Sequence, residues 1–303
     1  MKKHPDAPLP FKDGIAPSYV NIPYGPWPNI LRFLVEKFPR MDPEVIRHRI
    51  EIGDLVYQDG SRVCCDDKVV ADSRIWYYRE VPNEPEVPFK EQVLFEDERI
   101  IIVDKPHMLS SIPAGRFLKQ SLLSRLRATF DNQLIAPAHR LDRETAGVML
   151  FTKDPAYRGA YQMMFQARKV EKSYLAVAAN NDALQYPYVH KSCMVKGDKF
   201  FTMHEVDGPA NSETQVMKLK TQGELALYRL NPHTGKQHQL RVHMASLGMP
   251  ILNDPWYPVV KPERAHDDFS NPLQLLAQTL SFVDPVDGQT RYFASQQQLT
   301  ITE

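Results

Sequence analysis

Apolar residues recur at helical spacing in two stretches near the N-terminus. Within residues 29–38 (NILRFLVEKF) they mark one face of a predicted helix. Pro43, a residue favoured in the first turn of a helix, begins a second stretch of this kind that runs to Ile50. Gly53 follows it, and glycine commonly ends helices. The pattern therefore predicts two consecutive helices.

Strand-like patterns follow these helices. Asp59-Gly60 lies between two short apolar runs in residues 55–63 (LVYQDGSRV), and this dipeptide favours a tight hairpin turn. Residues 73–80 (SRIWYYRE) are rich in aromatic and β-branched side chains, which predicts a further strand. Residues 1–80 are thus predicted to form a small module of two helices and a hairpin.

A proline-rich segment separates this module from the rest of the chain. Residues 81–91 (VPNEPEVPFKE) carry a proline at every third position, together with glutamates. Such a composition favours an extended, exposed chain. We therefore predict three parts: an N-terminal module over residues 1–80, a linker over residues 81–91, and a larger domain over residues 92–303.

Strand and helix patterns mix in the larger domain without regular βαβ alternation, which indicates the α+β class. Polar residues 139–147 (HRLDRETAG) lead into a short apolar strand, Val148 to Phe151. Asp154-Pro155 is a typical cap and first-turn pair for the helix predicted next. The strand after that helix alternates, so Lys172, Tyr174 and Ala176 are expected on one face.

A third stretch, residues 225–248, is predicted to begin as a strand and end as a helix near Gly248. Thr234 and Gln237 have the spacing of a capping box, which marks a helix start. Arg241 lies on a different face from the apolar residues of this helix, so we expect it to point at a site. The core-facing residues are predicted to be Leu240, His243, Met244 and Leu247.

Composition and charge narrow the class of protein. The 303 residues are 43% hydrophobic, enough for a sizeable core, and no apolar run approaches the length that spans a bilayer. Three cysteines, two of them adjacent, predict reduced thiols rather than a disulfide framework or a metal knuckle. We therefore expect a cytoplasmic protein that does not associate with membranes.

The net charge is zero, but its distribution is uneven. Lys and Arg against Asp and Glu give −4 for residues 1–100, +6 for 101–172 and −2 for 173–303. The basic middle third could hold a phosphate backbone, although a cluster of this kind is more often a solvated face. Residues 1–50 alone sum to +3, so within the N-terminal module we expect the helices to face phosphate, through Arg32, Lys37, Arg40, Arg47 and Arg49.

Asp142 lies between Arg140 and Arg143, and spacing alone would favour a surface ion pair. However, HRLDRETAG, KSYLAV and NPHTGKQHQLRVHMASLGMPILNDPWY, in this order, resemble the RluA-type family of pseudouridine synthases. The resemblance extends over nearly the whole chain, and the N-terminal module is similar to the small RNA-binding module that often precedes these catalytic domains. It implies a mixed, largely antiparallel catalytic sheet.

The resemblance also implies a chemistry and the residues that perform it. The reaction breaks the N-glycosidic bond of a flipped-out uridine and rejoins the base through carbon 5, with no cofactor and no metal. Asp142 would stabilise or attack the anomeric carbon or remove a sugar proton, Arg241 would keep it ionised, and Tyr174 would stack on the uracil. The expected partner is structured rRNA or tRNA, bound by a monomer. Its RNA-binding residues are predicted to be His139, Arg140, Arg143 and Lys172.

Two alternatives compete with this interpretation. A metal hydrolase is suggested by His233, His238 and His243, but His238 and His243 would lie about 140° apart around a helix. A catalytically silent RNA-binding or ribosome-assembly factor on the same fold would also bind RNA. Turnover on a uridine-containing RNA separates the enzyme from the silent binder.

Overall fold

The computed structural model describes residues 7–81, 84–199, 201–265 and 267–299. The chain forms two compact units, Met1–Asn83 and Glu84–Glu303, and the division falls inside the predicted linker. Pro82, one of the prolines on which that linker was predicted, lies outside the described residues. The elements are β1 (Ser18–Asn21), α1 (Ile30–Lys37), α2 (Pro43–Glu51), β2 (Val56–Tyr57), β3 (Arg74–Tyr77), β4 (Gln92–Glu96), β5 (Ile100–Lys105), α3 (Leu122–Thr129), β6 (Ala136–Pro137), β7 (Ala146–Thr152), α4 (Pro155–Gln166), β8 (Val170–Ala179), β9 (Tyr188–Lys196), β10 (Met203–Val206), β11 (Ser212–Gln222), β12 (Leu225–Pro232), α5 (Gln239–Ser246), β13 (Leu275–Val283) and β14 (Thr290–Ala294).

The N-terminal unit contains both predicted helices and a three-stranded antiparallel sheet in the order β1-β3-β2. The side chains of Asn29 and Asp42 accept backbone N–H groups at the starts of α1 and α2. The hairpin around Asp59-Gly60 forms, but β2 has only two residues. The longer partner of β3 is β1, which the sequence pattern did not predict.

Arg49 departs from the predicted phosphate-facing set. Its side chain is buried, and the guanidinium donates to the carbonyl oxygen of Tyr78 at 2.7 Å and to Asp54 at 3.3 Å. These contacts tie α2 to the chain after β3 within the same unit. The prediction that Arg49 faces RNA is therefore wrong, whereas Arg32, Arg40 and Arg47 are exposed.

The larger unit is built on an eleven-stranded sheet, and its mixed α+β architecture confirms the predicted fold class. The central path runs β10-β9-β11-β12-β8-β13-β7-β5-β4, with β14 beside β13 and β6 beside β7. All of these pairings are antiparallel except that of β13 with β7. Strands β5 and β7 are buried along their whole lengths because the sheet is covered on both faces there.

The parallel pairing of β13 with β7 depends on a glycine. Gly147 has a φ of 115°, and a Cβ added to it would lie 2.2 Å from the backbone oxygen of Ala277. Glycine is therefore the residue that lets β7 approach β13 so closely. Because β7 begins at Ala146, four residues after Asp142, this approach also positions Asp142.

Residues 84–91 lie outside helices and strands, and this part of the predicted linker belongs to the larger unit. The Glu84 carboxylate accepts the backbone N–H groups of Leu118, Lys119 and Gln120, and Val87 is buried in the apolar core of this unit. The prediction that the whole segment is exposed is wrong at Val87, because its side chain completes that core.

Helix α5 begins later than predicted. His238, with a φ of 54°, occupies the cap position and makes no side-chain cap hydrogen bond. The Thr234 hydroxyl donates to Oε1 of Gln239 at 2.7 Å, so the expected capping box with Gln237 is wrong. The helix ends at Ser246, near Gly248 as predicted, and Gly248 has a left-handed φ of 73°. In the described part of the chain, no helix is long and apolar enough to cross a membrane.

Candidate active site

A cavity of about 380 Å³ opens beside the 139–147 loop, strand β8 and the start of α5. Five residues that the sequence assigned to the site line this cavity. They are Arg140, Asp142, Lys172, Tyr174 and Arg241. The structure thus brings together side chains that lie up to about a hundred positions apart in the chain, as a common site requires.

Asp142 lies in the loop between β6 and β7, with 24% of its side chain exposed. The backbone N–H of Thr145 donates to its carbonyl oxygen at 3.1 Å, which closes a turn around the residue. The carboxylate oxygen Oδ2 lies 3.4 Å from Nη1 of Arg241 and 3.7 Å from Nε2 of His238. Asp142 is therefore partly open to the cavity and faces cationic or N–H groups on the protein side.

Arg241 is buried, with 1% of its side chain exposed, and is held on its other edge by Asp254. Its Nε and Nη2 donate to the two Asp254 oxygens at 2.8 and 2.7 Å, while the guanidinium packs over the rings of Trp256 and Tyr257. Burial opposes the charge, but the Asp254 carboxylate outweighs it and raises the pKa of Arg241. Nη1 is thus left to face Asp142.

The orientation of His238 follows from its hydrogen bonds. The Tyr257 hydroxyl accepts the backbone N–H of Met203 at 2.9 Å and can donate its own proton to Nδ1 of His238 at 2.8 Å. In that arrangement the proton of the neutral imidazole is on Nε2, the nitrogen nearest Asp142. Burial lowers the pKa of His238, although Asp142 opposes this, so the neutral form is favoured.

Tyr174 and Lys172 reach the cavity from the same face of β8, as predicted. Tyr174 packs against both major apolar clusters of the larger unit. Burial, assisted by the charge of Asp142, raises the pKa of the Tyr174 phenol, which keeps it protonated. Burial also lowers the pKa of Lys172. The site therefore presents an aromatic ring and an amine beside the carboxylate.

Arg140 is exposed at the cavity. The other two predicted RNA-binding residues of this loop, His139 and Arg143, contact other parts of the protein. Nε2 of His139 accepts the backbone N–H of Leu150, its ring stacks on Phe165 at 4.3 Å, and burial lowers its pKa to about 3. Arg143 pairs with Glu144 at 2.8 Å. Neither His139 nor Arg143 lines the cavity, and their RNA contacts stay a prediction.

Lys105 supports the loop that carries Asp142, a position that sequence patterns did not indicate. Its Nζ donates to three carbonyl oxygens, those of Pro106, Leu109 and Arg143, at 2.7 to 3.1 Å. Burial lowers its pKa to about 7, against the attraction of Glu144 and Asp142. The bond to the Arg143 carbonyl fixes the residue next to Asp142. The Lys105-Pro106 pair at the end of the apolar strand β5 was the signal that the sequence offered.

The sequence did not predict that Asp254 pairs with Arg241 or that His238 lies beside Asp142. Asp254 occurs in the NDPWY part of the third motif, but nothing local indicated that it pairs with Arg241. The metal-hydrolase alternative is not supported by the placement of its histidines. His238 contacts Tyr257, His243 contacts Thr214, and His233 is exposed.

Comparisons with known proteins identify the family of this chain. The model of the family described as RNA pseudouridylate synthase matches residues 99–246. The chain is 34% identical over 215 residues to the dual-specificity RNA pseudouridine synthase RluA of Vibrio vulnificus, covering 64% of this chain and 78% of that protein. The chain therefore belongs to the RNA pseudouridylate synthase family.

Two more distant proteins extend the comparison. The mitochondrial tRNA pseudouridine(32) synthase of Saccharomyces cerevisiae is 26% identical over 228 residues, which cover 74% of this chain and 49% of that protein. The solved structure of human RNA pseudouridylate synthase domain containing 1 has a TM-score of 0.56 at 21% identity, covering 70% of this chain and 86% of that one. This second likeness establishes the fold.

Proposed function

We propose that the cavity receives a uridine flipped out of structured rRNA or tRNA and that Asp142 is the carboxylate that carries out its isomerisation. One observation carries this proposal. The Asp142 carboxylate opens on the cavity while Arg241, itself anchored by Asp254, faces it from the protein side. A carboxylate held in this way is already oriented toward the cavity before RNA arrives.

The reaction needs what these groups supply. The bond from the sugar to N1 breaks, the uracil turns while it stays bound, and a bond to C5 forms. The proton lost from C5 is balanced by one gained at N1, so the reaction is an isomerisation. An ionised Asp142 serves at the anomeric carbon as nucleophile or charge stabiliser, or as base toward the sugar.

Tyr174 contributes its ring face to the flipped base. Because the raised pKa keeps its phenol protonated, any help in removing the C5 proton has to come from the neutral oxygen rather than from a phenolate. Its position between two apolar clusters holds the ring rigidly. This favours stacking, which costs little entropy when the aromatic partner is already ordered.

Base flipping requires compensation for the lost stacking inside the RNA, which costs a few kcal/mol. Arg140 is exposed beside the cavity and is proposed to stack in the gap that the flipped uridine leaves. Lys172, which lines the same cavity, is proposed to contact the RNA backbone. His139 and Arg143 do not line the cavity, and their proposed RNA contacts lie elsewhere on the same loop.

The proposed substrates are rRNA or tRNA, because one relative is named a dual-specificity RNA pseudouridine synthase and another a tRNA pseudouridine(32) synthase. We propose that the enzyme works as a monomer in the cytoplasm. Sequencing of pseudouridines in rRNA and tRNA from cells with and without the protein would identify the modified site.

The direct test uses RNA carrying tritium at C5 of uridine. Isomerisation replaces the C5–H bond by the bond to the sugar, so tritium is released into water. We expect release by the purified chain from unfractionated cellular rRNA or tRNA. Binding of both RNA classes without tritium release from either would instead indicate a catalytically silent RNA-binding or assembly factor.

A further inference from the structure

A second cluster of potential ligands lies outside the uridine cavity, where the edge strand β10 meets α5. His190 in β9, Glu205 in β10 and His243 in α5 each place one ligand atom within 4.8 Å of the others. None of the three lines the cavity that contains Asp142. We propose that this cluster binds one Zn²⁺ ion, which joins the sheet edge to the helix that carries Arg241.

The distances suit zinc. Nε2 of His190 lies 2.9 Å and Nε2 of His243 lies 3.8 Å from Oε1 of Glu205. Ligand atoms in a tetrahedral zinc site are spaced by roughly 3.3 Å, as bonds of about 2.0–2.1 Å require. The two observed distances lie on either side of this value, so small side-chain rotations convert the cluster into three zinc bonds.

The surroundings of His243 supply the support that a metal ligand needs. Its side chain is fully buried, and Nδ1 lies 2.9 Å from the Thr214 hydroxyl, which is in turn 2.9 Å from Nε2 of Gln239. A metal-binding histidine usually donates its second N–H to an oxygen, and that bond fixes which nitrogen faces the metal. Here the Thr214 hydroxyl can accept from Nδ1 and leave Nε2 for the ion.

The donor set selects among metals. Two imidazoles and one carboxylate favour Zn²⁺ over Mg²⁺ or Ca²⁺, which prefer oxygen ligands. The hydroxyls of Ser192 and Ser212 lie 3.2 and 3.0 Å from Nε2 of His243, so a hydroxyl or a water can complete the fourth position. With neutral histidines the three ligands carry one negative charge, which the ion offsets.

The proposed ion has a structural purpose. Strand β10 is the outermost strand of its sheet and pairs only with β9 along the described path. Because zinc would bind the folded arrangement and not the separated strands, it stabilises the fold by linkage. Without metal, Nε2 of His190 and Oε1 of Glu205 lie 2.9 Å apart, so a hydrogen bond between β9 and β10 remains when zinc is removed. This inference does not depend on the proposed RNA substrate.

The test uses the full chain, stripped by dialysis against a chelator and then titrated with Zn²⁺ in a calorimeter. We expect one ion per chain and a higher thermal unfolding temperature. His190→Gln and Glu205→Gln should each weaken zinc binding by about tenfold or more, while a chelator-treated sample of each variant keeps the wild-type fold by circular dichroism. His204→Gln removes an exposed histidine from the same strand and should bind zinc like the wild type.

The contrary outcomes are clear. Zinc binding of equal strength by the wild type and both ligand variants would overturn the proposal, as would the absence of binding by the wild type. Zinc binding that is lost on alkylation of the thiols, but is kept in both ligand variants, would assign the ion to Cys64, Cys65 or Cys193. This result would also overturn the proposal. A matching titration with Mg²⁺ should give no heat and no change in unfolding temperature.

Discussion

Arg241 and Asp254 form a buried two-point ion pair, in which Nε and Nη2 of the arginine each donate to a different carboxylate oxygen. Because two bonds fix the plane of the guanidinium, the third nitrogen, Nη1, is aimed at Asp142 without any contribution from RNA. The Asp254 carboxylate also accepts the backbone N–H groups of Trp256 and Tyr257. The arginine is therefore part of a preformed frame.

This frame predicts the effect of Arg241→Met. Removing the arginine leaves Asp254 buried without its partner, so we expect a loss of roughly 3–5 kcal/mol in the free energy of unfolding, measured by urea denaturation. Turnover of bound RNA should fall much more than RNA affinity, since Arg241 faces a carboxylate and not phosphate. The double variant Arg241→Met with Asp254→Asn should recover much of the stability but no activity. A variant with normal turnover and a changed salt dependence of binding would instead assign Arg241 to phosphate.

Asp142→Asn should abolish tritium release while fold and RNA affinity stay close to those of the wild type. The substitution keeps the volume of the side chain and removes the ionised oxygen on which each proposed route depends. RNA binding and circular dichroism measured on the same sample control for misfolding. Appreciable pseudouridine formation by this variant would remove Asp142 from the catalytic position.

Acid should destabilise the chain through two partly buried histidines, His107 and His139. Burial lowers the pKa of His107 to about 4 and that of His139 to about 3, below the ordinary value of 6.5. The unfolded chain then binds more protons than the folded one below pH 6.5, so the free energy of unfolding falls as the pH drops from 6.5 toward 4, by at most about 1.4 kcal/mol per pH unit and histidine.

Unfolding measured across this pH range tests the effect. The His139→Gln variant can still offer an oxygen to the Leu150 N–H. Its free energy of unfolding should fall less steeply with decreasing pH than that of the wild type. The exposed His233→Gln variant should follow the wild type. Equal slopes in all three proteins would show that His139 titrates alike in the folded and unfolded states.

Catalysis should survive dialysis against a strong chelator and need no added nucleotide or redox partner, because the proposed reaction is an isomerisation. Tritium release from prefolded RNA is the measurement, with magnesium kept during RNA folding and removed afterwards. Loss of zinc from the His190 cluster should lower thermal stability without stopping turnover at low temperature. Activity restored specifically by zinc would place a metal in the reaction itself.

Deletion of residues 1–83 should weaken affinity for structured RNA or change site choice while the larger unit stays folded, since the two units have separate cores. Arg32→Ala with Arg47→Ala should reproduce part of this loss, because both side chains are exposed. Arg49 is left intact because it holds α2. If both proteins bind and modify native RNA like the full chain, the N-terminal unit does not bind the substrate.

The sequence predicted the local elements well, because periodicity and capping are local properties. Both N-terminal helices, the helix after Asp154 and the common face of Lys172 and Tyr174 are confirmed. The start of α5 was predicted wrongly because Gln239, rather than Gln237, bonds Thr234. That choice depends on Glu213 and Thr214 of the distant strand β11, whose carbonyl oxygen and hydroxyl both accept from the side-chain amide of Gln239.

The sequence predicted the residues that line the cavity but not the residues that hold them in place. Asp142, Tyr174 and Arg241 came from motif resemblance, whereas spacing alone favoured a surface ion pair for Asp142. The Asp254 carboxylate and the Lys105 ammonium are paired with groups that folding alone brings near. The burial of Arg49 was missed for the same reason, because the carbonyl of Tyr78 that it binds belongs to a distant strand end.

The close contact at Gly147 has a consequence for how this chain can vary. Backbone on the neighbouring strand leaves no room for a side chain at this position, so the register of β7 against β13 is fixed there. Four residues separate Gly147 from Asp142, and Thr145 closes a turn onto Asp142 within them. An inserted or deleted residue in this interval would turn the carboxylate away from Arg241 even though every other contact of the sheet survived. The number of residues between Asp142 and Gly147 is therefore fixed by the contact of Asp142 with Arg241.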